Sequence, residues 1–254
     1  MGISGTRTPW VKGFPDVIVH HEDIHARNSH PAYMKAKAGD ADAAIQLVLD
    51  LMSNDALARI HSLIGKRQAI IVPVAAQEVS GFNAIPDAMA QLLSAQLSLP
   101  MAAYDIKQST YVAHTKADGW HRLVTPAMFV GTIYPGENYF LIDDHVGFGG
   151  TLANLRGYIE ANEGQVIGMT TLTETSGAAQ IAIRPETQNM LESKHGKELD
   201  DFWKTVLGHG IDCLTNIEAG YLCRVESIVA IKTRMARAAT EARGRGVQPV
   251  RLSP

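Results

Sequence analysis

Apolar positions keep helical spacing near both ends of this chain and gather into short continuous runs in its middle. Ala43, Ala44, Leu47, Val48, Leu51 and Met52 fall on one helical stripe behind Asp40, a side chain that caps helix N-termini. Leu57, Ile60 and Ile64 repeat the pattern after Asn54, and Gly65 closes it. The continuous runs follow at residues 69–74, 100–106, 127–133, 139–142 and 165–173. Each is short, apolar and rich in β-branched residues, so each predicts a buried strand. Between them, Met89, Leu92, Leu93 and Leu97 behind Pro86, and Leu152, Leu155 and Ile159, recur at helical spacing. Alternation of strands and helices predicts an α/β fold with a mostly parallel sheet flanked by helices. Beyond residue 173 the pattern is helical again, at 185–195, 199–207 and 216–243, with a break near Arg224. Residues 1–15 and 244–254 carry Gly, Pro and charge without periodicity and read as an arm and a loose tail. Val17, Ile18 and Val19 form one more short apolar run, a candidate strand. Three segments result: 1–65, an N-terminal arm with helices; 66–180, the α/β core; 181–254, a C-terminal helical segment with a basic tail.

Composition narrows the classes. Of the 254 residues, 46% are hydrophobic and 19% charged, enough for a sizeable core. A net charge of −3 argues against bulk attraction to nucleic acid or anionic membrane. No apolar run approaches the roughly 18 residues that span a bilayer, and residues 1–11 carry no apolar core of a secretory signal. The expectation is a cytoplasmic protein without a membrane partner. Cys213 and Cys223 are too few for a metal site and, in that compartment, are expected to be unpaired.

The chemistry concentrates in Tyr139-Phe140-Leu141-Ile142-Asp143-Asp144-His145-Val146-Gly147-Phe148-Gly149-Gly150-Thr151. An apolar strand, two adjacent carboxylates, a glycine-rich turn and a threonine lead directly into a helix. Loop amides and a helix N-terminus hold a phosphate dianion. The carboxylates repel that phosphate, so they suit hydroxyl groups, a metal or a cationic carbon beside it. A dinucleotide fingerprint fails because Leu152 occupies the place of its last glycine, and a Walker A loop fails because no lysine follows Gly150.

This run resembles the PRPP-binding motif of type I phosphoribosyltransferases over all thirteen positions. Gly147-Phe148-Gly149 replaces the usual threonine-rich centre, and His145 stands where an aliphatic residue is commoner. The resemblance implies a Rossmann-like type I phosphoribosyltransferase core with N-terminal and C-terminal helical additions. It implies an enzyme that transfers phosphoribose from PRPP to a nitrogenous base with release of pyrophosphate, with Mg2+ as cofactor and a homodimer as the common assembly. Asp143 and Asp144 would contact the ribose hydroxyls, directly or through Mg2+ and water. Gly147, Phe148, Gly149, Gly150 and Thr151 would hold the 5′-phosphate. A pyrophosphate loop would fall at Ala75, Ala76 and Gln77, following the first core strand. A mobile loop would fall at residues 107–126, where Lys107, Lys116 and Arg122 could meet pyrophosphate and His114 and His121 could carry protons. Lys107, at the predicted strand end, is the strongest catalytic candidate among these five.

The acceptor base would be recognised outside the core, by the first 65 residues or by the helices after residue 173. The histidines between His20 and His30 lack metal-binding spacing and are expected at the surface or in such contacts. Trp10, Trp120 and Trp203 could stack on a base, although core positions are commoner for tryptophan. Two other functions stay open. One is a PRPP-sensing regulator that binds nucleic acid, for which Lys232, Arg234, Arg237, Arg243, Arg245 and Arg251 are the cations. The other is a ribose-phosphate hydrolase using the same grip.

Overall fold

The structure, a computed structural model, describes residues 7–78, 81–102, 105–110 and 118–250, with residues 77 and 78 described by their backbone. In chain order the elements are β1 (Ile18–His21), α1 (Ile24–Ser29), α2 (Tyr33–Lys37), α3 (Ala41–Leu51), α4 (Asn54–Ile64), β2 (Ile70–Pro73), β3 (Gln77–Glu78), β4 (Gly81–Phe82) and α5 (Ile85–Leu97). Then come β5 (Ile106–Gln108), α6 (Gly119–Val124), β6 (Phe129–Gly131), β7 (Asn138–Val146), α7 (Gly150–Ala161), β8 (Gln165–Glu174), α8 (Pro185–Leu207), a 3-10 turn at Ile211–Cys213, α9 (Asn216–Cys223) and α10 (Ile228–Gly244).

Four strands form a parallel sheet in the order β1-β8-β7-β2. The two long central strands, β7 and β8, are buried almost throughout, as strands covered on both faces must be. The fold class read from the sequence is therefore the observed one: mixed α/β, a parallel sheet flanked by helices, with further helices toward both termini. Helices α4 and α5 cover one face, with α3 packed against α5. Their stripes, Leu47, Val48, Ile60, Ile64, Met89 and Leu93, meet Ile71, Phe140, Ile142 and Leu172. Each such side chain contributes roughly 1.5–3 kcal/mol by leaving water. Helix α7 covers the other face, where Leu152, Leu155 and Ile159 meet Val72, Leu141 and Met169.

The candidate strand at 17–19 is observed as Ile18–His21, paired with β8, and α3 and α4 of the same N-terminal segment complete the hydrophobic layer. The two helical stretches expected at 185–195 and 199–207 are present within α8, separated at Gly196, whose φ of +64° breaks the helix and suits a residue without Cβ. Two expectations need correction. The run at 100–106 is not one strand: Met101 makes a single parallel bridge to Ile71, and the strand β5 begins at Ile106 and pairs antiparallel with β6. Residues 107–126 are not all loop, since α6 occupies Gly119–Val124 behind an Asp118 cap.

The C-terminal helices build a core of their own. Trp203, fully buried, lies in a cluster with Leu199, Leu207, Leu222, Ile231 and Met235, joined by Trp120 and Val124 of α6. Among the described residues, no helix is long and apolar enough to cross a membrane. Cys213 and Cys223 are free and buried.

Candidate active site

The motif residues cross from the end of β7 into the start of α7, and the sheet places them at its carboxyl edge. Strand alternation turns Asp143 and Asp144 to opposite faces. Asp143 lines a cleft with His145, Gly147, Phe148, Gly149, Gly150, Thr151, Arg122 and Glu218. The cleft holds about 80 Å³, several times the ~10–15 Å³ one water needs. Gly149 is the N-cap of α7 with φ +78°, and no side chain caps that helix end. An added Cβ there would meet Thr215 Cγ2 at 3.1 Å and Ile181 at 3.3 Å, so both conformation and space call for glycine. The first amides of α7 thus face the cleft without intrahelical partners, the arrangement that binds anions.

Asp144 points the other way, toward the N-terminal segment. Lys37 Nζ lies 3.3 Å and Arg27 Nη1 3.5 Å from its Oδ2. Arg27 also donates to Asn28 and lies over the Tyr33 ring, 5.0 Å from the centroid. Asp143 Oδ1 accepts from the Asp144 amide at 2.8 Å. Burial first, and the charge of Asp144 second, raise Asp143 well above the usual carboxylate range. Burial would raise Asp144 as well, but the Lys37 and Arg27 charges outweigh it and hold Asp144 low. His145 is fixed between Thr173 Oγ1, 3.0 Å from Nδ1, and Thr175 Oγ1, 3.2 Å from Nε2. Burial, then the charge of Arg27, lowers its pKa to about 4, so the imidazole is neutral at pH 7.

The remaining predicted residues fall around this centre. Ala75 and Ala76 follow β2, whose last residue, Pro73, pairs with Ile142, the residue before Asp143. Gln77 opens the short β3. The Gln108 amide donates to the Ala75 carbonyl at 3.0 Å, which brings β5 and its exposed Lys107 against that loop. Arg122 reaches the cleft with its guanidinium 5.9 Å from the Phe148 ring centroid. His121 instead engages Asp118, at 2.7 Å, and approaches Glu241 at 3.1 Å. His114 and Lys116 lie outside the described residues.

The histidines from His20 to His30 do not converge. His20 is buried in β1, accepts from the Ser53 amide and is lowered to about 4 by burial, while His30 pairs with Asp50. Among the described residues, no group of three or more His, Cys, Asp or Glu side chains is gathered for a metal. Asp143 is the carboxylate turned to the cleft. Asp144, with two cations on it, is the less available donor.

Sequence reading missed the brace behind the loop. The Thr215 hydroxyl donates to the Phe148 carbonyl at 2.6 Å and accepts from the Glu218 amide at 3.2 Å. Glu218 returns a bond to the Thr215 amide, completing a capping box on α9. Arg7 grips Glu218 with two nitrogens, at 2.6 and 2.9 Å, and donates to Asn154 of α7 at 2.7 Å. Thr-x-x-Glu was a legible signature of that cap. Arg27 and Lys37 gave no signal, being 117 and 107 residues from their partner.

No protein-family model matches the chain. Protein TraN of Escherichia coli is 43% identical over 236 residues, covering 93% of this chain and 52% of TraN. An uncharacterized protein of Haemophilus influenzae is 41% identical over 153 residues, covering 60% of this chain and 34% of that protein. The chain thus spans about half the length of the first of these relatives and a third of the second. Among solved structures, a hypoxanthine phosphoribosyltransferase from Staphylococcus aureus superposes with a TM-score of 0.37 at 14% identity, covering 57% of this chain and 70% of that one. Orotate phosphoribosyltransferase from Aeropyrum pernix gives 0.33 at 17% identity, covering 53% and 67%. At such scores function is left to the geometry of the site.

Proposed function

We propose that this chain binds PRPP and transfers its phosphoribosyl group to a nitrogenous acceptor, releasing pyrophosphate. One observation carries the reading: an acid at the end of a parallel strand and a glycine loop opening a helix line the same cleft, beside the loop of residues 75–77. The amides of Gly149, Gly150 and Thr151 would take the 5′-phosphate. Asp143 would meet the ribose hydroxyls and, with substrate oxygens, hold Mg2+, which when bound offsets charge on the diphosphate. In the transfer, the bond from the anomeric carbon to the diphosphate oxygen breaks and its electron pair leaves with pyrophosphate. The acceptor nitrogen supplies the pair for the new C–N bond and gives up its proton. The site's contribution is orientation and charge stabilisation. The acceptor side would be lined by Phe148, Arg122 and the C-terminal lobe, which reaches the cleft through Glu218.

The cations of α10 support an enzyme over a nucleic-acid-binding regulator. Lys232 pairs with Glu198, Arg234 with Glu226 and Arg237 with Glu241, so that face is largely neutralised. The test is calorimetric titration of PRPP with Mg2+ into wild type and into the Asp143→Asn/Asp144→Asn variant, with circular dichroism on both. Binding weakened by at least about tenfold in the folded double variant, roughly 1.4 kcal/mol, is expected. A folded wild type that binds no PRPP would overturn the proposal. Pyrophosphate release in a screen of bases then identifies the acceptor.

A further inference from the structure

His145 lines the cleft, yet nothing in the proposed transfer uses it. It shares a strand face with Asp143, two residues away on β7. Hydroxyls from the neighbouring strand occupy both ring nitrogens: Thr173 Oγ1 lies 3.0 Å from Nδ1 and Thr175 Oγ1 3.2 Å from Nε2. A neutral imidazole carries one proton, and the Thr173 hydroxyl decides where. That hydroxyl donates its own proton to the Asp144 carbonyl, at 3.5 Å, and therefore accepts from Nδ1–H. Nε2 keeps its lone pair, and the Thr175 hydroxyl donates to it. Thr175 Oγ1 then has only lone pairs to offer a further partner.

Thr175 is exposed and its backbone is held: the amide donates to the Val146 carbonyl and the carbonyl accepts from the Ala178 amide, both at 2.8 Å. Gly147, which also lines the cleft, lies against the pair. A Cβ there would sit 3.6 Å from Thr175 Oγ1 and 3.7 Å from His145 Nε2, which is ordinary contact. Gly147 is not among the glycines with positive φ. Neither conformation nor space demands glycine at this position, and its effect is to leave the pair uncovered. Whatever meets Thr175 Oγ1 must bring a proton. The phosphates of PRPP bring none, and the ribose hydroxyls are assigned to Asp143. The acceptor base remains. Its reacting N–H is lost in the transfer, so a contact that lasts through the reaction needs another donor on the base, an exocyclic amino group.

We infer that Thr175 selects the acceptor: its Oγ1 takes a hydrogen bond from an amino group of the base, and His145 holds the hydroxyl in that sense. The inference rests on the proposed phosphoribosyl transfer and names a substrate class for it, amino-bearing bases. A base with a carbonyl or carboxylate at this point would set lone pair against lone pair and leave a polar group unpaired, a strong ground for rejection. Thr175 touches the base. His145 is a positioning residue, acting through Thr175.

The test compares adenine with hypoxanthine and cytosine with uracil, pairs in which an amino group and a carbonyl exchange at one ring position. Pyrophosphate release with PRPP and Mg2+ is followed in wild type, Thr175→Val and Thr175→Ser, and PRPP affinity is measured by calorimetry. Wild type should favour the amino member of a pair by about tenfold or more in kcat/KM. Thr175→Val should raise KM for that base about tenfold, the scale of one hydrogen bond, and narrow the preference. PRPP affinity should stay unchanged, and Thr175→Ser, which keeps the hydroxyl, should behave as wild type. Nitrogen-15 NMR of histidine-labelled protein, with His145 assigned by its loss in His145→Gln, should find the proton on Nδ1. A preference for the carbonyl members, equal losses of PRPP and base in Thr175→Val, or a proton on Nε2 would overturn the inference. So would a wild type that binds PRPP but uses none of the four bases, and in each of these cases the PRPP site stands. Failure of folded wild type to bind PRPP would overturn the proposed function itself, and this inference with it.

Discussion

Two sets of charged side chains flank the motif, and they are built differently. Behind the glycine loop, Arg7 and Glu218 form a two-pronged ion pair with short bonds, and Thr215 ties the same carboxylate's helix to the Phe148 carbonyl. Beside the acids, Arg27 and Lys37 surround Asp144 at distances too long for strong bonds. The first set joins three elements that are distant in sequence: the N-terminal segment, α7 and α9. The second joins two N-terminal helices to one carboxylate near the end of β7.

The largest effect should come from breaking the brace. Glu218→Ala leaves Arg7 buried with its main charge partner gone. Removing one member of a buried pair costs about 3–5 kcal/mol. Urea unfolding followed by circular dichroism should show that loss at pH 7. A cost under about 1 kcal/mol, the range of exposed pairs, would show the pair to be no brace.

Legibility in the sequence followed the range of the interactions. The strands β2, β7 and β8, the helices α3, α4, α5 and α7, and the glycine turn were readable because each is fixed by its own periodicity and caps. The run from Tyr139 to Thr151 carried strand, acids and loop within thirteen positions, so its local geometry was legible too. What was not legible depends on contacts across the chain. The run at 17–19 was legible as a candidate strand, but its place beside β8 follows only from the pairing. The opposite facing of Asp143 and Asp144 follows from strand alternation once β7 is known to extend to Val146. The cations that meet Asp144 come from a segment whose polarity resembles any solvated helix, and Arg7 sits in a stretch without periodicity.

A smaller and pH-dependent effect is expected beside the acids. Lys37→Met removes one of the two charges holding Asp144 low but leaves Arg27, so the stability cost at pH 7 should be about 1–2 kcal/mol, near that of one charged hydrogen bond. The sign with pH follows from linkage. Asp144 has a folded pKa below its unfolded value of 3.8, so its stabilisation is present above that value and is lost as pH falls through the folded pKa. Without Lys37 the folded pKa moves back up. Wild type and variant should therefore differ in stability above the unfolded pKa and converge as pH falls through the lowered folded pKa. A difference that persists unchanged at low pH would mean that Lys37 acts by packing and not through Asp144.

The smallest effect distinguishes the hydroxyl of Thr215 from its methyl group. Thr215→Val keeps the shape but removes both the bond to the Phe148 carbonyl and the cap on the Glu218 amide, a loss of about 1–2 kcal/mol on the scale of helix caps. Thr215→Ser keeps the hydroxyl and gives up Cγ2, the atom nearest to where a Gly149 side chain would begin. Its cost should be about 1 kcal/mol, the scale of one buried methyl group, because serine caps as well as threonine. If the brace sets the shape of the phosphate loop, PRPP affinity should follow the hydroxyl: lowered in the valine variant, retained in the serine variant. Equal affinity in both would show that Gly149 and the start of α7 hold the loop without help. The brace would then serve stability alone.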